Sequence, residues 1–510
     1  MTKLSELKPE RVFYYFERIC EIPHGSGNTG AICDFLCSFA LKHELEYIKD
    51  EVGNVIIRKP ASSGMEDHPA VILQGHMDMV AVCVPGSDID MTRDGINLMI
   101  EGDRLSAVDT SMGGDDGIAV AMCLAILESD SLKHPALEVL FTMDEETGMD
   151  GAMGLDMNLL KGRRLINIDS EEEGTIYVGC AGGARVHITL PIDSEQNKDQ
   201  AGDGDVYEIC VSGCRGGHSG SEIYRGGANA IKIAGRVLYE LSRRMPGLGF
   251  ISIEGGVVDN AIPTEAVLRV SGIGTEEEAQ STIALLSQEI GREYGTTDPD
   301  LSIVIKKLAE AGDHITASRE SADRLACLLN AVPNGVQAMS KDMEDLVETS
   351  LNIGVIHTRN MTKDTLSATH TDISEDPLFI NAAKAVVLQF AVRSSVASAK
   401  RHLIDKLCAI AKLAGAKTEV SGDYPGWKYE PDSPLRDHMT AVYRKMFGKE
   451  PVVKAIHAGL ECGFFVSGMP GLDCVSIGPD MSDVHTTSES LSISSVGRTW
   501  DYLCSVLETM

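Results

Sequence analysis

Ala70-Val71-Ile72-Leu73-Gln74-Gly75-His76-Met77-Asp78 is a short apolar run that stops on a glycine, an imidazole and a carboxylate. A run of that length with polar ends reads as a buried strand. The arrangement returns twice. Leu137 to Thr142 is an apolar run followed by Asp144-Glu145-Glu146, and Leu165 to Ile168 is one followed by Asp169. Gly117 to Glu128 lies between them with the pattern of a helix. This alternation predicts an α/β chain with a mixed, mainly parallel sheet covered by helices. His76, Glu145, Glu146 and Asp169 then all fall just past C-terminal strand ends, the edge at which open α/β sheets bind ligands.

On the N-terminal side, residues 8 to 22 carry a helical stripe of Val12, Phe13, Tyr15, Phe16, Ile19 and Cys20, and residues 29 to 44 form a second helical pattern. Towards the C-terminus the style changes near Gly179-Cys180-Ala181-Gly182-Gly183. Residues 186 to 420 alternate like strands, with a polar stretch from Ser194 to Asp205 and helical segments at 228 to 244, 275 to 293 and 318 to 329. From about 425 the helix–strand rhythm resumes and ends in a helix near 496 to 508. The expectation is a discontinuous domain of residues 1–185 and 421–510, interrupted by an α+β domain of residues 186–420.

A chain of 510 residues exceeds what one hydrophobic core carries, which agrees with two domains. A formal net charge of -31 repels nucleic acid and anionic membranes, so neither is expected as a partner. No apolar run approaches the roughly 20 residues that span a bilayer. The N-terminus reads as a charged amphipathic segment rather than a signal peptide. The 13 cysteines show no zinc-finger spacing, and neither Cys33/Cys37 nor Cys210/Cys214 forms a C-x-x-C. A reducing cytoplasm with free thiols is the simplest expectation.

Imidazole and carboxylate are the ligands that divalent zinc takes readily. Two such ions some ~3.5–4 Å apart activate water, and sharing them needs a bridging carboxylate. The chain offers His76, Asp115 in Gly113-Gly114-Asp115-Asp116-Gly117, Glu146, Asp169, and His485 in Asp483-Val484-His485-Thr486. Singly these are weak: a histidine at a strand end is more often structural, and a Glu-Glu pair is usually a solvated face. Together, in this order at strand ends, they are specific. His-x-Asp at 76 and 78 adds a carboxylate able to orient the imidazole.

These phrases resemble the zinc aminopeptidase–deacylase superfamily that includes glutamate carboxypeptidase, aminoacylase and several dipeptidases. Leu73-Gln74-Gly75-His76-Met77-Asp78-Met79-Val80 and Phe141-Thr142-Met143-Asp144-Glu145-Glu146-Thr147-Gly148 carry the superfamily likeness. Ile176-Tyr177-Val178-Gly179-Cys180-Ala181-Gly182-Gly183 and Ile456-His457-Ala458-Gly459-Leu460-Glu461-Cys462-Gly463 resemble its branch of aminoacyl-histidine (Xaa-His) dipeptidases. The resemblance implies two zinc ions per chain, with cobalt or manganese as substitutes. Asp115 would bridge them, His76 and Asp169 would complete one, and Glu146 and His485 the other. Asp78 would hold the ring nitrogen of His76 that faces away from the metal. Glu145 would take the proton of a water activated between the zincs and pass it to the leaving amine. Aspartate at position 169 goes with peptide cleavage rather than deacylation.

The inserted domain would act as a lid. Gly216-Gly217-His218-Ser219-Gly220 resembles the lid motif in which a histidine stabilises the tetrahedral intermediate. Asn260 and Arg393 resemble residues that bind the substrate's C-terminal carboxylate, a task the fork of arginine suits. His457 and Glu461 would line the cleft. The implied activity is hydrolysis of dipeptides, β-alanyl-histidine among them. The alternatives are a broader aminopeptidase or N-acyl-amino-acid deacylase, and, further off, a non-catalytic binding protein. The resemblance is compatible with a homodimer. Two departures stand out: Asp109 and Asp116 put charges where the family pattern has glycine and asparagine.

Overall fold

The structure, a computed structural model, describes residues 4–194, 205–308, 315–361, 379 and 382–510. Residues 195–204 of the polar stretch fall outside the described residues. The chain divides into two compact units, one of Met1–Cys180 with Gly426–Met510 and one of Ala181–Pro425.

The first unit is built on an eight-stranded sheet. Its strands run in the order Glu46–Lys49, Val55–Lys59, Leu137–Thr142, Val71–His76, Arg164–Asn167, Asp473–Ser476, Thr175–Cys180 and Val452–Ile456. The centre is parallel: Val71–His76 pairs in parallel with Leu137–Thr142 on one side and Arg164–Asn167 on the other. The outer hairpin of Glu46–Lys49 and Val55–Lys59 is antiparallel, so the sheet is mixed. Every residue of the strands 71–76 and 137–142 is buried, as a parallel strand covered on both faces requires. The helix Gly114–Glu128 is apolar on all sides and buried along nearly its whole length. Its N-terminus reaches the end of strand 71–76 because Gly75 has no side chain. A Cβ there would lie 2.5 Å from Asp116 Oδ2 and 2.9 Å from Ala119 Cβ.

The helices Glu10–Cys20 and Gly30–Lys42 bury the apolar stripes seen in the sequence. After the second unit the chain returns to this sheet through the helix Pro434–Phe447 and strands 452–456 and 473–476, and closes with the helix Ile493–Thr509.

The second unit is a nine-stranded sheet, antiparallel throughout, in which Val347–Asn360, Lys384–Ser394 and Gly182–Ile192 are long neighbours. Helices Ala230–Arg244, Glu276–Tyr294, Arg319–Ala331 and Ala397–Leu413 supply the rest of its core, in which Phe250 and Phe390 have no exposed surface. Among the described residues no helix is long and apolar enough to cross a membrane. All 13 cysteines are free.

Candidate metal centre

The backbone at each strand end is bent so that a side chain turns into one pocket of the first unit. His76 is the last residue of its strand. Asp115 and Asp116 have non-helical dihedrals at the start of the helix 114–128, behind a left-handed Gly113. Asp144, left-handed at φ 50, interrupts the chain after strand 137–142, so the adjacent Glu145 and Glu146 are freed from strand alternation. His485 lies at φ 62 in the loop between the strands Met481–Ser482 and Ser490–Ser492.

Asp115 sits between two imidazoles. Its Oδ1 is 3.1 Å from His76 Nε2, and its Oδ2 is 3.0 Å from His485 Nε2. His76 Nε2 also lies 3.5 Å from Asp169 Oδ1, and His485 Nε2 lies 2.9 Å from Glu146 Oε1. The result is two half-sites that share one carboxylate. Glu146 Oε1 is buried and, despite the nearby imidazole, takes part in no hydrogen bond among the described residues. An unpartnered buried carboxylate oxygen beside two imidazoles and a shared aspartate points at a further body, and this donor set suits a divalent cation. Three groups could hold one: His76 with Asp116 and Asp169, His76 with Glu145 and Glu146, and Asp115 with Glu146 and His485. Asp116, noted in the sequence as a departure from the family pattern, thus belongs to one of these groups. Asp109, by contrast, is exposed at φ 63.

The electrostatics show the same need for positive charge. Burial pushes Glu145 well above the usual carboxylate range, and Asp169, Glu461 and Glu146 add to the push against the lowering by His76. Burial raises Asp169 to about 6. Burial would depress His76, but Asp169, Asp115 and Asp78 together lift it well above its ordinary value. The carboxylates of Asp115 and Glu146 beside the ring carry His485 to about 11. Carboxylates crowded out of water stay ionised only beside cations.

Two acids hold the pocket in shape. Asp78 was expected to hold His76, and it does so from two atoms. His76 Nδ1 is 3.0 Å from the Asp78 backbone carbonyl and 3.4 Å from its carboxylate. The carboxylate itself accepts from the N–H of Glu145 at 3.0 Å, the N–H of Glu146 at 3.3 Å and the Ser26 hydroxyl at 2.8 Å. Asp78 is therefore also the anchor of the Glu145–Glu146 turn. Glu489, absent from the sequence expectations, accepts from four consecutive N–H groups. Met112 and Gly113 donate to Oε2 at 2.7 and 3.1 Å, and Gly114 and Asp115 to Oε1 at 2.8 and 3.4 Å. It is four residues beyond His485, in a run of small polar residues that reads as surface. A two-glycine loop in need of acceptors was the one available signal, and it named no partner.

The expectation that Glu461 lines a cleft is corrected. Its side chain has no exposed surface. One oxygen accepts from Gln74 Nε2 at 2.6 Å and Thr142 Oγ1 at 2.7 Å, and Asn167 continues the chain of bonds by donating to Gln74 Oε1 at 2.6 Å. Glu461 ties three strands together beneath the pocket, and burial pushes it up to about 7. A glutamine inside an otherwise apolar buried strand was the signal for such a network. His457 follows the edge strand 452–456 and is 6% exposed.

His218, Asn260 and Arg393 belong to the second unit. His218 Nδ1 accepts from the N–H of Gly220 at 3.3 Å and of Ser221 at 3.2 Å. The neutral ring therefore carries its proton on Nε2, as a donor. Burial, then Arg393, lowers its pKa and keeps it neutral. The neighbouring loop is held to it, since Ser219 N–H donates to the Asn260 carbonyl at 2.7 Å. The buried amide of Asn352 donates to the carbonyls on either side, of Asp259 at 3.0 Å and of Ala261 at 2.8 Å. His218, Asn260 and Val257 line a groove of about 660 Å³. Arg393 lies on the strand 384–394, with Nη1 donating to the Tyr424 hydroxyl at 3.4 Å.

Imidazole–carboxylate half-sites that share one aspartate, at the C-terminal edge of a mixed α/β sheet, define a class, the metal-dependent hydrolases. Within that class the chain belongs to peptidase family M20/M25/M40, whose profile matches residues 72–509. It is 37% identical to the cytosol non-specific dipeptidase of Escherichia coli (strain K12) over 509 residues, 100% of this chain and 99% of that one. It resembles the crystal structure of aminoacylhistidine dipeptidase from Vibrio alginolyticus with a TM-score of 0.88 and 36% identity, covering 100% of this chain and 98% of that one. Aminopeptidase PepT from Bacillus cereus, at a TM-score of 0.58 and 17% identity over 98% of each chain, shares the fold.

Proposed function

We propose that the chain is a dipeptidase that works with two zinc ions, and that Glu145 moves the proton. The observation that carries the reading is Asp115, with one oxygen against each imidazole. His76, Asp169 and Asp115 would hold one ion and Glu146, His485 and Asp115 the other. Cobalt or manganese fits the same donors. When bound, the ions supply the positive charge that acidifies a water and polarises the peptide carbonyl.

Glu145 is left out of both half-sites, next to Glu146 and on a turn fixed by Asp78. Its carboxylate accepts the proton of the attacking water as the new C–O bond forms. It returns that proton to the amine nitrogen as the C–N bond breaks. His218 Nε2–H donates to the carbonyl oxygen as charge builds there. Asn260 and Arg393 take the substrate's C-terminal carboxylate, which limits substrates to short peptides. The unit 181–425 thereby serves as a lid that delivers these three residues during turnover. The relatives named as cytosol non-specific and aminoacylhistidine dipeptidases support dipeptides, Xaa-His among them, as the substrate class, and the cytoplasm as the place of work.

Chelation should abolish hydrolysis of β-alanyl-histidine and other dipeptides, and two equivalents of zinc should restore it. E145A should keep both ions and lose about 10²–10⁴ in kcat. Wild-type turnover by E145A would overturn the mechanism. Preference for an N-acetylated dipeptide over the free one would overturn the substrate class.

A further inference from the structure

Arg393, Gly183 and Tyr424 stand opposite one another on three adjacent strands, Gly183 in the middle. Residues directly opposite in a sheet share a face. With no side chain on Gly183, the tyrosine ring crosses the intervening strand and its hydroxyl reaches Arg393 Nη1. A Cβ on Gly183 would lie 2.6 Å from Tyr424 Cε1, Cζ and the hydroxyl oxygen, so the ring fills the place of the absent side chain. The backbone is fixed to hold the ring there. The pairing register shifts between Ser421 and Tyr424, and the buried Lys400 donates to the carbonyls of Gly183 and Tyr424 and to the Asp423 carboxylate.

The bond to Tyr424 leaves from Nη1, on one side of the guanidinium. Nε–H and Nη2 form the opposite edge, the pair that meets a carboxylate bidentately. Arg393 Nε is buried and has no hydrogen-bond partner among the described residues, an arrangement that calls for an incoming acceptor.

The geometry points to Tyr424 as the positioning residue that aims Arg393, with Gly183 as the gap that admits it, so that the pair sets the preference for a free C-terminal carboxylate. This rests on the reading of Arg393 as the carboxylate receptor. It also gives the Gly182-Gly183 signature a task that the metal chemistry leaves unexplained.

The test compares a dipeptide with its C-terminal amide on the metal-loaded full chain. R393A should cut the acid-to-amide ratio of kcat/KM by a hundredfold or more. Y424F should raise KM for the free dipeptide three- to tenfold with kcat within twofold, and cut the same ratio by a similar factor. G183A should reproduce the Y424F pattern by displacing the ring. If R393A lowers the ratio and Y424F leaves KM and the ratio unchanged, the role of Tyr424 is overturned and the receptor stands. If R393A leaves the ratio unchanged, the receptor reading falls and the positioning role with it.

Discussion

Asp115 reaches both imidazoles only because its backbone is pinned. Glu489 does the pinning, with an anionic acceptor for four N–H groups in a row. E489Q keeps the size but turns an NH₂ group towards donors, so the loop must shift. Support of this kind around a metal ligand is worth about 10–100-fold in affinity. Titration of the chelated protein with cobalt should show that loss in E489Q, while its circular dichroism stays that of the wild type. His76, Glu146 and Asp169 were legible as candidates because each follows an apolar run that fixes where the side chain emerges, whereas Asp115 and His485 follow none and came from the family resemblance. Glu489 and the inward turn of Glu461 were not, because both are set by hydrogen bonds between segments hundreds of residues apart. Asp78 was half legible: spacing tied it to His76, but only the bent backbone shows that it also holds Glu145 and Glu146.

At the scale of elements, strands and helices follow their apolar patterns closely in both units. Leu137–Thr142 occupies the expected residues, and the expected helix of 318–329 is found as Arg319–Ala331. The short turn Glu145–Gly148 was not foreseen, since it has no periodicity and depends on a left-handed Asp144. In the second unit the strand Val347–Asn360 carries a half-buried histidine, His357, whose Nε2 lacks a partner among the described residues. Burial, then Arg359, lowers it to about 4. Between that value and the ordinary ~6.5 the unfolded chain binds the proton and the folded chain does not. Stability is therefore whole above about pH 6.5 and lost as pH falls towards 4. H357Q should show a smaller drop in melting temperature between pH 7 and 4.5 than the wild type.

The whole molecule is two units, each with its own core. Phe390 is fully buried in the core of the second. Phe390→Ala should cost about 3–5 kcal/mol there. Hydrogen exchange should quicken across residues 384–394 and 347–360, while strands 71–76 and 137–142 keep their protection. The first unit is interrupted between Cys180 and Gly426, and the sequence changes style near Gly183 and again after 420. The topology of the second sheet was not, because alternating strands announce their number and faces but not their order.

That break also orders events in time. His76 and His485 are 409 residues apart. At roughly 5–20 residues per second, synthesis delivers the second some 20–80 s after the first. His76, Asp115, Glu146 and Asp169 must wait on the ribosome while the whole of 181–425 is made. On the proposed metal site, the growing chain would offer one half-site only, and its affinity for a divalent cation should rise sharply once His485 emerges.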